Sequence, residues 1–252
     1  MTSGKLCDSH IIPRHFIRKR DAGTGLFEFI DGEPLKKRLS KGWTEYLLCE
    51  KCESHLGRFD DYAARFFATS DNWGIVDVRQ IDMRIFLVEE FNYELLKLFF
   101  MSLLWRSAVA SIPAFESVAL NHKYQEELRE MILRNDPGDE HKYGTVIFKY
   151  EPHQKGYEKI TFTPHEFRQS NCVFYYQLQL NEFPCHIKVS NQKDAARYPG
   201  FWLSKKPPLR IMEVKLLPTR LNEMVRIVQT QPKLLEEFRL KFQQHMLKDD
   251  LP

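Results

Sequence analysis

Cysteine is scarce in this sequence, and charge of either sign is nearly balanced. There are five cysteines in 252 residues, an odd number, and only Cys49 and Cys52 lie close together. This excludes a secreted disulfide framework and favours a reducing compartment. The 37 basic and 34 acidic residues leave a net charge of +3, so the chain as a whole is not polybasic.

The sequence also lacks a long apolar run. The most apolar stretch covers residues 95–104, contains Lys97 and is followed by Arg106. It is too short to span a bilayer. No apolar run follows the first basic residues, so no signal peptide is expected. A soluble cytoplasmic protein without membrane contact is therefore predicted.

Several enzyme signatures are missing. The sequence has no Gly-rich phosphate loop, no Gly-x-Ser-x-Gly and no His-Glu-x-x-His. These absences argue against nucleotide hydrolases, serine hydrolases and zincins. The hydrophobic content of 43% and the aromatic content of 13% are sufficient for a sizeable core.

Hydrophobic periodicity predicts an α+β protein in two parts. Residues 1–72 form the first unit and residues 73–252 a larger α+β body, with a soft boundary at the Asp71–Gly74 break. Helices are predicted at 53–67, 92–110, 122–135, 218–229 and 232–247. Strands are predicted at 6–13, 27–30, 44–48, 145–150, 159–162, 172–180, 183–189 and 209–216, with hairpin turns at 31–32 and 181–182.

A Cys-x-x-Cys pair is the first chemical signal. Cys49-Glu50-Lys51-Cys52 has the spacing of a zinc knuckle, which supplies two ligands. Cys7 and His10, spaced Cys-x-x-His, would complete a Cys3His site. The alternative is that these cysteines are small core residues without a metal.

Two segments resemble the ββα-metal core of HNH-type endonucleases. In that family a strand ends in Asp-His or Glu-His, often followed by two β-branched residues and Pro. A later Cys-x-x-Cys-His then opens a helix. Ser-His-Ile-Ile-Pro (9–13) is similar to the first element, and residues 46–53 are similar to the second. The chain also resembles an uncharacterised bacterial group of HNH-like proteins with Ser-His-Ile-Ile-Pro near the N-terminus, the likeness extending to residues 97–106.

The resemblance implies an N-terminal HNH-like ββα or treble-clef unit packed on the α+β body, and it implies roles for single residues. His10 would be the general base for phosphodiester hydrolysis, and Glu53 stands where the family has its last His. Glu53, with Asp8 or Glu45, would hold a catalytic Mg²⁺ or Mn²⁺. Ser9 stands at the place of the family's metal-binding acid. Cys7, Asp8, Cys49 and Cys52 are the candidate metal ligands, including a structural Zn²⁺.

Basic residues border both motifs. Arg14, Arg18 and Lys19 follow the His segment, and Lys37 lies between the motifs. Beside the aromatic side chains of residues 16 and 43, they would suit phosphate contact with a stacking surface nearby. The alternative is an ordinary solvated face.

Three functional hypotheses follow. The leading one is a metal-dependent endonuclease acting on DNA or RNA. The second is a catalytically degenerate HNH scaffold that binds nucleic acid or a partner protein. The third is a structural or regulatory subunit whose function lies in the C-terminal body. A homodimer, or a partner protein from bacterial defence, is suggested only by analogy of fold.

Three further residue-level predictions concern structure. Arg106 lies in an apolar helix and should need an acidic partner. The Asp60-Asp61 pair is interpreted as solvated or capping. Cys185 and His186 should point to opposite faces of their strand, so they do not form a ligand pair.

Overall fold

The computed structural model describes residues 4–17, 26–28, 36–38, 42–78, 83–151, 162–168, 173–189 and 198–215. Within these ranges the three α-helices are α1 (Glu50–Ala68), α2 (Tyr93–Val109) and α3 (His122–Leu133). The strands are β1 (Leu6–His10), β2 (Leu26–Glu28), β3 (Lys36–Arg38), β4 (Thr44–Cys49), β5 (Gly74–Val78), β6 (Met83–Val88), β7 (Thr145–Tyr150), β8 (Phe162–Arg168), β9 (Phe174–Leu180), β10 (Phe183–Lys188) and β11 (Leu209–Val214). The α+β class predicted from the sequence is confirmed.

Seven of the described strands form one mixed sheet. Its order is β5-β6-β11-β7-β10-β9-β8, and all neighbours are antiparallel except β11 and β7. Two small antiparallel ribbons, β1-β4 and β2-β3, stand apart from it. The β1-β4 ribbon runs directly into α1, so the candidate motifs meet at one place in the fold.

One hydrophobic core extends through the described part of the molecule. It contains Ile11 and Phe16 after β1, Phe59 on α1, Leu98 on α2 and Ile147 on the sheet. α2 is at its centre, because its apolar residues surround the whole helix and twelve of its residues are buried. The N-terminal ribbon and α1 therefore share their core with α2 and the large sheet. The boundary near residue 72 stays a prediction.

Most predicted elements that fall on described residues are present. α1 begins earlier than the apolar periodicity indicates, at Glu50, because its first turn carries polar residues. β7 and β11 lie where predicted, and the β9-β10 turn contains Asn181 at φ 55°. The helices predicted at 218–229 and 232–247, and the turn at 31–32, lie outside the described residues.

Three of the described strands, β3, β5 and β6, were not predicted. β5 is exposed along most of its length, so it shows no alternation to read, and β6 pairs beside it. Of the strand predicted at 159–162, only Phe162 lies among the described residues, and it begins β8. Pro164 lies at a register shift on β8, an edge strand of the described sheet, where the ladder does not need its missing N–H.

Candidate functional site around the N-terminal ribbon

The β1-β4 ribbon places the two sequence motifs side by side. Leu6 pairs with Cys49 at one end, and His10 pairs with Thr44 at the other. The pairing continues one step beyond β1, where the Ile11 N–H donates to the Trp43 carbonyl at 2.9 Å. α1 then starts at Glu50, immediately after β4. The local order is strand, strand, helix, with residues 11–43 between the strands.

Ser9 is a structural residue of this ribbon. The register shifts between Cys7 and Asp8, so that Leu47 is the extra residue of a bulge in β4. The Ser9 hydroxyl lies at this bulge, where it accepts from the Leu48 N–H at 3.1 Å and donates to the Cys7 carbonyl at 3.2 Å. Ser9 is 1% exposed. Its oxygen is therefore occupied by the backbone, at the position where the resemblance puts a metal-binding acid.

His10 lies at the end of β1 and is half-buried. Its main-chain carbonyl accepts from Arg106 Nη1 on α2 at 3.1 Å. Alternation along the strand places its side chain on the face shared with Leu6 and Asp8, opposite Ser9. Asp8 is exposed on that face.

Arg106 is held by an acid from α1. Its guanidinium makes two hydrogen bonds to Asp60, at 2.7 and 2.9 Å. The acidic partner predicted for Arg106 is thus present, but interpreting Asp60 as solvated or capping was wrong. Burial raises the pKa of Asp60, and the adjacent guanidinium opposes that rise. The sequence did hold a signal, because Asp60 falls between Leu56 and Ala63 on the buried stripe of α1.

Both carboxylate oxygens of Glu45 accept hydrogen bonds from the same residue, Ser111. One of its oxygens accepts from the Ser111 N–H at 2.9 Å, and the other accepts from the Ser111 hydroxyl. Ser111 follows the C-terminal end of α2, so Glu45 fastens β4 to that end. The predicted role of Glu45 as a metal or catalytic carboxylate would require this contact to open.

Glu53 differs from the other predicted carboxylates. It lies in the first turns of α1 and is half-buried, and its Oε1 is buried without a hydrogen-bond partner. An unsatisfied carboxylate oxygen is costly in a protein interior. Among the predicted site residues, Glu53 therefore has a carboxylate oxygen available to coordinate a metal ion or to accept a hydrogen bond.

The Cys49 and Cys52 sulfurs are 3.5 Å apart. Hydrogen bonds from the backbone and thiol of Cys52 lower the pKa of Cys49, whereas burial raises the pKa of Cys52. Two thiolates on one tetrahedral zinc lie roughly 3.7 Å apart for Zn–S bonds of about 2.3 Å, so the pair itself suits zinc. A closed structural site also needs two further ligands.

The residues predicted to complete that site do not reach it. His10 and Cys49 occupy opposite ends of the ribbon, about 13 Å apart at 3.3 Å per residue. Cys7 pairs with Leu48 and so faces the side opposite Cys49. Within the described ranges no group of three or more His, Cys, Asp or Glu side chains could hold a metal ion. The Cys3His arrangement of Cys7, His10, Cys49 and Cys52 does not fit a structural zinc.

Fewer carboxylates are available to bind Mg²⁺ or Mn²⁺ than the sequence predicted. Glu53 can offer an oxygen, but Glu45 is engaged by Ser111 and Asp60 by Arg106. Mg²⁺ is often held by one or two carboxylates together with water and substrate phosphates. Glu53 is thus the residue that would hold a hard cation here.

The predicted basic and aromatic surface is only partly present. Arg14 is exposed on a 3-10 turn, Arg14–Phe16, directly after the His segment. The stacking surface was wrong: Phe16 is 2% exposed and contacts Phe67 and Phe99, while Trp43 is buried in the same core. Lys37 lies on β3 opposite Phe27 in the register, and Arg18 and Lys19 lie outside the described residues.

A second polar group lies on the large sheet, away from the ribbon. His186 Nδ1 is 2.8 Å from the Tyr198 hydroxyl, and both His186 and His165 pair with Gln177 in the sheet register. Cys185 is fully buried, while His186 is half-buried on the other face, so the prediction for this pair is confirmed.

Comparisons with protein families, with curated proteins and with solved structures find no match to this chain. No helix in the described part of the chain is both long enough and apolar enough to cross a membrane. Functional inference therefore depends on the site itself.

Proposed function

We propose that the β1-β4 ribbon and α1 form a degenerate HNH-type ββα unit that binds nucleic acid. The strand-strand-helix order, with His10 at a strand end and Cys49 at the helix start, supports this assignment. The observation that carries it is the occupation of Ser9 and Glu45 by structural hydrogen bonds. The residues nearest to the family's ligand positions are used to build the fold.

Nucleic acid is favoured as the ligand because exposed cations flank the ribbon at both ends. Arg14 follows His10, and Lys5 and Lys51 flank the end where Leu6 pairs with Cys49. Residues 1–52 carry the excess of basic over acidic side chains, ten against seven. Lysine and arginine at a surface contact phosphates and make binding depend on salt.

Fluorescence anisotropy with labelled duplex DNA, single-stranded DNA and RNA tests this proposal. Affinity should fall with salt, and Arg14→Ala should reduce the slope of log affinity against log salt by about 1. Arg134→Ala is the matched control, because Arg134 is an exposed arginine at the C-terminal cap of α3, remote from the ribbon in sequence. Absence of binding, or equal effects of both substitutions, would contradict the proposal.

Metal-dependent phosphodiester hydrolysis is the second candidate, favoured by the unpartnered oxygen of Glu53. Glu53 would hold Mg²⁺ or Mn²⁺, and a bound cation would stabilise charge on phosphate oxygens. His10 would take a proton from the attacking water, since imidazole suits general-base chemistry near neutral pH.

Plasmid nicking with Mg²⁺ or Mn²⁺ separates the two candidates. Hydrolysis predicts activity that is lost in both His10→Ala and Glu53→Gln, the latter keeping the size of the side chain. Activity unchanged by both substitutions, or absent from the wild type while binding persists, rules out this second candidate and leaves the binding unit.

A further inference from the structure

The two thiols at the start of α1 form a close pair that has no complete zinc site around it among the described residues. Their sulfurs are 3.5 Å apart, whereas the cysteine and histidine expected to complete a zinc site face away or lie at the far end of the ribbon. Cys49 and Cys52 are therefore a close pair without further metal ligands among the described residues.

We propose that Cys49 and Cys52 are a reversible dithiol-disulfide site that reacts with small disulfides. Cysteines spaced i and i+3 at a helix start have Cα atoms close enough for a disulfide, which needs Cα separations of about 4.4–6.8 Å. Moving the sulfurs from 3.5 Å to the bonding distance of about 2.05 Å requires a shift of roughly 1.5 Å. Side-chain rotation at the first turn of a helix can supply that shift.

The two cysteines have different surroundings, which assigns their order of reaction. Cys49 precedes the helix and pairs with Leu6, which is 47% exposed, so it lies at the outer end of the ribbon. Cys52 is one turn further and packs against the hydrophobic core. Cys49 is therefore the attacking residue and Cys52 the resolving residue.

The chemistry balances with a small disulfide, RSSR, as the oxidant. Cys49 sulfur attacks one sulfur of RSSR, giving a mixed disulfide at Cys49 and releasing one RSH with the proton from Cys49. Cys52 sulfur then attacks Cys49 sulfur, which forms the Cys49–Cys52 bond and releases the second RSH. Two thiols are oxidised, and one external disulfide is reduced to two thiols.

Oxidised glutathione is the probe for the full-length chain. After equilibration at graded ratios of oxidised to reduced glutathione, free thiols are alkylated and the protein is digested with trypsin. Cleavage after Lys51 puts Cys49 and Cys52 on different peptides, so their disulfide appears as a linked pair. The expected result is loss of two alkylatable thiols, reversed by excess reduced glutathione.

Three variants make the test specific. Cys52→Ser should accumulate glutathione on Cys49, Cys49→Ser should leave Cys52 free, and Cys7→Ser should keep the linked peptides. The proposal is overturned if no linked peptide forms in folded wild type, or if glutathione settles on Cys52 instead of Cys49. It is also overturned if the purified protein holds one zinc per chain that Cys49→Ser removes. None of these readouts depends on nucleic-acid binding.

Discussion

Two buried cations on α2 are satisfied in different ways. Arg106 has a carboxylate partner in Asp60, and its guanidinium also donates to the His10 carbonyl. Lys97 is 0% exposed and donates from Nζ to the Asp139 and Glu140 carbonyls. A carbonyl cannot neutralise a charge as a carboxylate does, so burial lowers the pKa of Lys97 to about 8.

Replacing Arg106 with Leu should strongly destabilise the fold. Breaking a buried ion pair costs about 3–5 kcal/mol, because the remaining charge has no partner. Urea denaturation measures the loss in free energy of unfolding. The exposed Arg134–Glu130 pair is the control, since Arg134→Ala should cost at most about 1 kcal/mol. A loss for Arg106→Leu as small as that control would contradict the structural role.

Lys97 should make stability rise with pH above neutrality. Its pKa falls from 10.5 to about 8 on folding, so between these values the unfolded chain binds the extra proton. The free energy of unfolding should therefore rise by about 2 kcal/mol between roughly pH 8 and 9.5, and be independent of this group below its folded pKa.

Lys97→Met should remove that rise, whereas Lys206→Met, on an exposed loop, should keep it. Denaturation curves at fixed ionic strength across this range provide the measurement. A wild-type profile that is flat, or that falls over the same interval, would show that Lys97 is not held in the way described.

For single residues, the sequence predicted that a side chain requires a hydrogen-bond or ion-pair partner better than it predicted which residue that partner is. An arginine inside an apolar helix requires an acidic partner, and the sequence alone predicted this for Arg106. Which acid it finds depends on how α1 packs on α2, which a single sequence does not reveal. In the same way, the carboxylate of Glu45 was expected to hold a metal ion, and its contact with Ser111 uses it instead.

At the scale of elements, α2 and β5 mark the extremes of burial. α2 is buried around its whole circumference, whereas the five residues of β5 include four that are exposed. Long periodic or uniformly apolar segments were therefore predicted well, while an exposed edge strand and a proline-containing strand were not. Both depend on neighbours in the sheet rather than on local pattern.

The N-terminal end of α2 depends on its cap. The Asn92 side chain accepts from the Leu95 N–H at 2.9 Å. Asn92→Ala should lower the free energy of unfolding by about 1 kcal/mol, while Asn92→Asp retains an acceptor and most of the stability. Thermal and urea denaturation of the two variants give the comparison. Equal losses from both would mean that the cap is not the source of the effect.

At the scale of the whole molecule, one continuous core joins the N-terminal ribbon to the large sheet. The α+β class follows from composition and periodicity. The sequence does not predict that the two parts share one core, because this depends on contacts between α1 and α2, which are distant in sequence. The predicted boundary near residue 72 was drawn from a local break in pattern alone.

Hydrogen exchange should report this organisation. Amides of residues 98–104 in α2 are expected to exchange most slowly, near the rate of global unfolding, because their side chains are all buried. Amides of β5 should exchange fastest among the strands of the large sheet. Mass spectrometry of peptides over a time course makes the comparison, and protection of β5 equal to that of α2 would contradict it.

The contacts that Arg106 and Ser111 make with the N-terminal segment bear on whether residues 1–72 could be transferred between proteins as a unit. If residues 1–72 were transferred to another protein on their own, Asp60 would lose its cation and Glu45 its two donors. A gene rearrangement that kept these contacts would have to carry the C-terminal half of α2 and Ser111 together with the segment. A recombination point between residues 72 and 106 would therefore separate two acids from the groups that satisfy them.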